Sequence, residues 1–340
     1  MILGKHIRAK SKRRVNKKAV GIAVLVVLCM SVGFVYAWKK LFTDAPLNNT
    51  AGSVTASESH TKYNILVLGI DKRRNDIGRS NVTCLLIVDM DKKTISMLWV
   101  PRDSRVDIPG YEWNKIGHAY AYEGPKLSEK TVSTLLGVPI DYYLAVNMEG
   151  FQHVIDAVGG VDINVDKKMY YYDPYDEGEV DNDGLIDLEP GQQHMDGNTA
   201  LQYVRFRHDE MGDIGRIERQ QKFSNALIEA VVQPATLTRL PEIVKEVKTS
   251  FDTNIPLATL LKIGTCVPEA YQKGLNTEMV DGTPVYINNI SYWLPNIEKM
   301  RDQIARLEDI EKTDSYNRET QNLAAAYRNS TKNMKVEIAK

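Results

Sequence analysis

The stretch Asn64-Ile65-Leu66-Val67-Leu68-Gly69-Ile70 decides how this chain folds. Apolar residues follow one another without a polar face, over too short a run for a helix, so the stretch reads as a strand covered on both sides. Val82 to Asp89 and Thr94 to Val100 repeat the pattern, and the link Met90-Asp91-Lys92-Lys93 suits an antiparallel hairpin. Helix and strand signals then alternate. Lys126 to Leu136 reads as a helix stopped by Gly137, and Tyr142 to Val146 as a strand. Met148 to Val158 reads as a helix closed by Gly159-Gly160, and Val161 to Val165 as a further strand. On the Met148 helix, His153 sits among Phe151, Val154 and Ile155 and reads as a packing residue. Asp213 is placed to cap a helix running to about Val232, with Phe223, Ala226, Leu227, Ala230 and Val231 as its buried stripe. The pattern predicts an α/β fold over residues 62–312, a three-layer α-β-α sandwich around a mixed central sheet. The polar residues 313–340 read as a loosely attached tail.

The 340 residues carry 43 Lys+Arg against 44 Asp+Glu, but the charge is unevenly placed. Residues 1–18 hold eight cations and no acid; without them 35 Lys+Arg face 44 Asp+Glu, a net of about −9. An acidic bulk argues against broad nucleic-acid binding. Three cysteines exclude a disulfide-stapled scaffold and a CxxC zinc module. Glu179 to Gly184 looks like part of a calcium loop, but Pro190 stands where the bidentate glutamate belongs, so a solvated acidic loop is the better reading.

Residues 19–38 are uncharged. At ~1.5 Å per residue, such a run is long enough for a bilayer core of ~30 Å. Tyr36 and Trp38 stand where aromatic rings meet lipid headgroups. The run reads as a single-pass anchor, and the preceding cations predict a cytoplasmic N-terminus and an extracytoplasmic domain. The stretch after it, rich in Ser, Thr, Asn, Ala and Gly without apolar periodicity, reads as a flexible linker over 39–61. A cleaved signal peptide ending at Val35-Tyr36-Ala37 is the competing reading, and it exports the same domain.

Arginine is concentrated at the ends of the apolar runs, next to glycine or an acid. Asp71-Lys72-Arg73-Arg74 follows the first, Gly78-Arg79-Ser80-Asn81 precedes the second, and Pro101-Arg102-Asp103 follows the third. Arg205-Phe206-Arg207 leads into Gly212-Asp213-Ile214-Gly215-Arg216-Ile217-Glu218-Arg219-Gln220-Gln221. Arg216, Arg219 and Gln220 share one face near a helix N-terminus, where the backbone already favours an anion. Guanidinium forks match phosphate oxygens bidentately. Taken singly, each cluster is also what a solvated or ion-paired surface looks like.

These stretches, with Lys115-Ile116-Gly117-His118-Ala119-Tyr120 and Gly159-Gly160-Val161, resemble the LytR-CpsA-Psr family of bacterial envelope proteins over roughly residues 62–232. The resemblance implies a phosphotransferase that moves a glycopolymer, a teichoic acid or a wall or capsular polysaccharide, from a polyprenyl-pyrophosphate carrier onto peptidoglycan. It implies an apolar tunnel for the prenyl chain and Mg²⁺ beside the pyrophosphate. By motif position Arg79, Arg102, Lys115, Arg205, Arg207, Arg216 and Gln220 would contact the pyrophosphate, Asp71 and Asn81 would hold the metal, and Asp213 and Arg219 would support the arginine helix. Arg102 would act in catalysis, with Asp103 either the base for the attacking hydroxyl or the partner of that arginine. Two departures stand out: Asn81 replaces the family's usual aspartate, and Gly117 a common asparagine. The first opens an alternative, a lipid-pyrophosphate-binding scaffold with reduced or lost catalysis. A transcription attenuator, a label also attached to the family, would require a cytoplasmic domain.

Overall fold

The structure, a computed structural model, describes residues 62–71, 78–172, 184–206, 208 and 212–339, excepting the side chains of 212 and 213. The expected segments 1–18, 19–38 and 39–61 lie outside the described residues, as do Arg207 and the side chain of Asp213. Among the described residues no helix is long and apolar enough to cross a membrane.

The apolar run that opens the domain is strand β1 (Lys62–Asp71); β2 (Arg79–Asp89) and β3 (Thr94–Val100) follow it, each antiparallel to its predecessor. A small hairpin of β4 (Arg105–Asp107) and β5 (Trp113–Lys115) precedes helix α1 (His118–Leu136). Strand β6 (Tyr142–Val146) joins β1 in parallel and α2 (Met148–Val158) follows. Next come β7 (Val161–Val165), β8 (Met169–Tyr172), β9 (Leu185–Leu188) and β10 (Gly191–Met195), with β7 pairing β10 and β8 pairing β9. Helices α3 (Gly197–Arg205), α4 (Gly212–Val231), α5 (Pro234–Leu237) and α6 (Leu240–Ser250) lead to β11 (Asp252–Thr253). Helix α7 (Leu257–Lys273) and β12 (Asn276–Met279) complete a mixed six-stranded sheet, ordered β11-β6-β1-β2-β3-β12.

Alternation along the strands splits the core in two. Leu66, Leu68, Leu85, Ile87 and Leu98 pack against Leu127, Val132 and Leu136 of α1. On the other face Ile65, Val88 and Ile95 meet Leu240 and Val244 of α6 and Leu260, Cys266 and Ala270 of α7. Helices therefore cover both faces, as continuous apolar strands require. Cys84 and Cys266 are free and buried. Helix α1 begins eight residues before the predicted start; Glu123 and Gly124 leave helical geometry ahead of Pro125, which hides the first turns from a periodicity reading. Helix α4 starts at Gly212, so Asp213 lies inside its first turn and is not the cap. His153 is exposed, its Nδ1 3.9 Å from Glu246, while Val154 and Ile155 point inward.

The expectation of a loose tail at 313–340 is corrected. After β13 (Gly282–Ile287), β14 (Ile290–Pro295) and α8 (Ile297–Glu308), residues Asp314–Thr331 form α9, and β15 (Val336–Ile338) pairs with β13. Buried Ala324 and Tyr327 join the core that α1 and α8 build. Arg301 of α8 lies over the Tyr316 ring at 4.4 Å and donates to the Leu136 carbonyl at 2.6 Å. Tyr327 meets Trp113 edge-on at 4.7 Å, and Arg105 covers Trp113 while donating to Ser330 at 2.6 Å. A few anchors in a polar helix are enough, because each fills a buried slot. The same anchors brace the β4–β5 hairpin that carries Lys115.

Tyr327→Ala is expected to destabilise the domain by about 3–5 kcal/mol and to open residues 313–339 to protease. Denaturant unfolding with limited proteolysis checks this; an unchanged midpoint without new cleavage would contradict the packing described.

Candidate active site

At the C-terminal end of β1 the pairing with β2 slips. Gly69 opposes Val82 and Ile70 opposes Ser80, so Asn81 is the extra residue of a bulge, and Asp71 faces Arg79. A bulge re-aims side chains. Asn81 and Val82 consequently both face the cavity described below, which strict alternation would forbid. Gly69 makes the approach possible, since a Cβ there would lie 2.8 Å from the Val82 side chain.

Asn81 then forms a bridge. Its Nδ2 donates to Asp71 Oδ2 at 2.7 Å, and its Oδ1 accepts from Arg102 Nη1 at 3.0 Å. Rotating the amide by half a turn would set donor against donor and acceptor against acceptor, so its neighbours dictate its orientation. Asp103, the next residue, lies 3.0 Å from Lys115 Nζ and 4.0 Å from Arg102 Nε. This carboxylate gathers two cations, and its backbone carbonyl is held by Trp293 N at 2.9 Å. Gly117 fits beneath: a Cβ there would meet the Ser80 carbonyl oxygen at 2.5 Å, so a larger residue such as asparagine needs a shifted backbone. His118 records the local field. Burial first, then Arg79 and Lys115, hold its pKa below the usual imidazole value, against the opposing pull of Asp103.

Beside this cluster lies a cavity of about 360 Å³, between the sheet and helices α2, α3 and α4. That volume is within the range of about 300–1,000 Å³ usual for ligand sites. Val67, Trp99, Leu144, Phe151, Phe223 and Leu227 make its wall apolar. Five of the predicted residues, Asp71, Asn81, Arg205, Arg216 and Gln220, share that wall. Arg205 ends α3, and Arg216 and Gln220 stand one turn apart on α4, both buried. Gln220 Nε2 reaches the Val204 carbonyl at 3.3 Å.

The remaining predicted residues fall elsewhere. Arg102, Asp103 and Lys115 form the adjoining cluster, joined to the cavity through Asn81. Arg79 is exposed at the start of β2. Arg219 is buried and turned to the protein, donating to the Phe206 carbonyl and lying over its ring at 5.2 Å, a supporting role. One feature went unread in the sequence: Tyr171 and His208 stack with centroids 3.6 Å apart at the cavity wall. Nothing local singles out Tyr171 among Tyr170, Tyr171 and Tyr172; the fold makes the selection.

Asp71 and Asn81 were the expected Mg²⁺ ligands. Mg²⁺ takes oxygen donors in near-octahedral geometry. In this arrangement the Asn81 oxygen is committed to a guanidinium and its amide hydrogen to Asp71, so Asn81 does not fit as a ligand. Among the described residues no group of three or more His, Cys, Asp or Glu could hold a metal ion.

Fold and site together define an α/β protein with an apolar cavity whose wall carries Arg205 and Arg216. The chain belongs to the LytR_cpsA_psr family, whose model matches residues 37–335. It is 28% identical over 312 residues to the polyisoprenyl-teichoic acid–peptidoglycan teichoic acid transferase TagU of Bacillus licheniformis, covering 89% of this chain and 97% of that one. It is 35% identical over 245 residues to the regulatory protein MsrR of Staphylococcus aureus, 72% of this chain and 70% of that one. Among solved structures, B. subtilis TagV superposes with a TM-score of 0.64 at 29% identity, over 74% of this chain and 99% of that one. A structure of TagT bound to LI-WTA gives 0.59 at 25%, over 74% and 91%. The mixed central sheet is thus the family's fold.

Asn81→Ala removes both bonds of the bridge and is expected to weaken binding of inorganic pyrophosphate about tenfold, the scale of one charge-assisted hydrogen bond. Asn81→Asp sets a second carboxylate against Asp71 and is expected to make that binding respond to Mg²⁺. Calorimetry on the full chain checks both; wild-type behaviour in each variant would show that the bridge does not govern the anion site.

Proposed function

We propose that this chain is a membrane-anchored, extracytoplasmic phosphotransferase that moves a glycopolymer from a polyprenyl-pyrophosphate carrier to peptidoglycan. The observation that carries the reading is the joining of an apolar cavity to Asp71, Asn81, Arg205, Arg216 and Gln220 on one wall. A prenyl diphosphate has the same two parts, a hydrocarbon chain and a dense anion. The names of TagU and TagV, and the TagT complex, point to the same substrate class. The uncharged run 19–38, behind its eight cations, supplies the anchor.

In this mechanism the acceptor hydroxyl attacks the phosphorus bonded to the polymer. A phosphodiester forms, the bond to the other phosphate breaks, and polyprenyl monophosphate leaves, its freed oxygen taking up the proton that the hydroxyl gives up. Such a transfer depends mainly on positioning and charge stabilisation. Arg102 supplies charge at the transferring phosphate, Arg79, Lys115, Arg205 and Arg216 hold the diphosphate, and Asp103 positions Arg102 and Lys115 through its ion pairs. No step is routed through Mg²⁺, because the Asp71–Asn81 pair does not fit it in this arrangement. The polymer is a teichoic acid or another wall or capsular polysaccharide.

The purified full chain is expected to join a polyprenyl-pyrophosphate-linked polymer to peptidoglycan oligosaccharides in vitro, with Arg102→Ala slowing transfer by about 100-fold or more. Tight carrier binding without any transfer would instead establish the scaffold reading.

A further inference from the structure

A transferase of the proposed kind has two substrates, and the cavity with its arginines accounts for one. Beside the cation cluster lies a surface of different chemistry. Tyr111, in the turn of the β4–β5 hairpin, is 42% exposed, and Tyr122, on the first turns of α1, is 39% exposed. Their rings stack with centroids 4.4 Å apart and planes 16° from parallel. Polar groups border the rings: Tyr111 donates to Glu123 Oε1 at 3.1 Å, and Asn114 Nδ2 donates to Tyr122 Oη at 2.9 Å. The hairpin divides its residues between two jobs. Trp113 and Lys115 turn to Tyr327 and Asp103, whereas Asn114 and Tyr111 turn to the α1 surface.

The patch is continuous with the anion site. Tyr122 follows His118 by four residues, so both lie on one helix face about one turn, roughly 5.4 Å, apart. Their ring centroids are 6.2 Å apart, and His118 stands in the field of Arg79, Lys115 and Asp103. A saccharide lying on Tyr122 would therefore extend toward His118 and the charged groups around it.

We propose that Tyr111 and Tyr122 form the acceptor platform, and that its ligand is an uncharged pyranose oligosaccharide of the peptidoglycan glycan type. This rests on the transferase reading. The C–H-bearing face of a pyranose is apolar and weakly positive, and complements the negative face of an aromatic ring. The Glu123 carboxylate and the Asn114 amide can exchange hydrogen bonds with its hydroxyls. Charge decides which substrate binds where. Glu123 repels a phosphate-bearing polymer, which the arginines attract, whereas a neutral glycan meets no opposing charge on the tyrosines.

The test titrates the full-length chain, in a detergent without a sugar headgroup, with a β-1,4-linked N-acetylglucosamine tetramer and separately with inorganic pyrophosphate. The tetramer is expected to bind, with affinity about five- to tenfold weaker in Tyr122→Ala and in Tyr111→Ala and retained in Tyr122→Phe. Pyrophosphate affinity should be unchanged in all three variants, which also shows that they fold. Absence of tetramer binding, or wild-type affinity in both alanine variants, overturns the platform and leaves the tyrosines as a clasp between hairpin and helix. Tetramer binding through the tyrosines without pyrophosphate binding upholds the platform and overturns the donor site, so the two failures are told apart.

Discussion

The hydrogen-bonded bridge from Asp71 through Asn81 to Arg102 is the interaction on which the site depends. It exists because β2 carries one residue more than β1 at that point, so the amide leaves the ladder and spans two strand ends. A guanidinium on a long side chain loses entropy when it is held in place. Here the cost is shared among Asn81, Asp103 and the rigid sheet beneath them. Arg102 is thereby oriented before any anion arrives, which is how charge stabilisation contributes most to a transfer reaction.

The cavity explains why the arginines lie where they do. Burying a guanidinium is unfavourable unless partners compensate it, and Arg216 and Arg219 are nearly as buried as the core leucines. Arg219 is held by the Phe206 carbonyl and ring. Arg216 shares the cavity wall with Arg205 and Gln220. An amphiphile with an anionic end and a hydrocarbon end suits such a wall, since each part meets the environment that it needs. The C-terminal helix contributes from a distance: Tyr327 and Ser330 brace the hairpin whose Lys115 pairs with Asp103.

Much of this was legible in the sequence, and the reasons differ from element to element. Strands β1, β2, β3 and β6 were readable because apolar continuity is a local signal. The arginine motifs were readable because their residue types suit phosphate wherever they converge. Helix α9 was not, because Tyr316, Ala324 and Tyr327 are too sparse among polar residues to make a stripe, and the slots they fill belong to other segments. The role of Asn81 was not legible either. It depends on a register shift between two strands, and register is a property of the pair. Arg216 and Arg219 are identical in the sequence; only packing shows that one lines a cavity and the other clamps a carbonyl.

A co-crystal structure of the domain with a prenyl diphosphate would show whether the cavity wall and the bridged Arg102 hold one ligand. The hydrocarbon is expected between the sheet and helices α2 to α4, with phosphate oxygens on Arg205, Arg216 and the Asn81-held Arg102. A diphosphate bound away from those side chains, or a cavity filled by the protein itself, would contradict it.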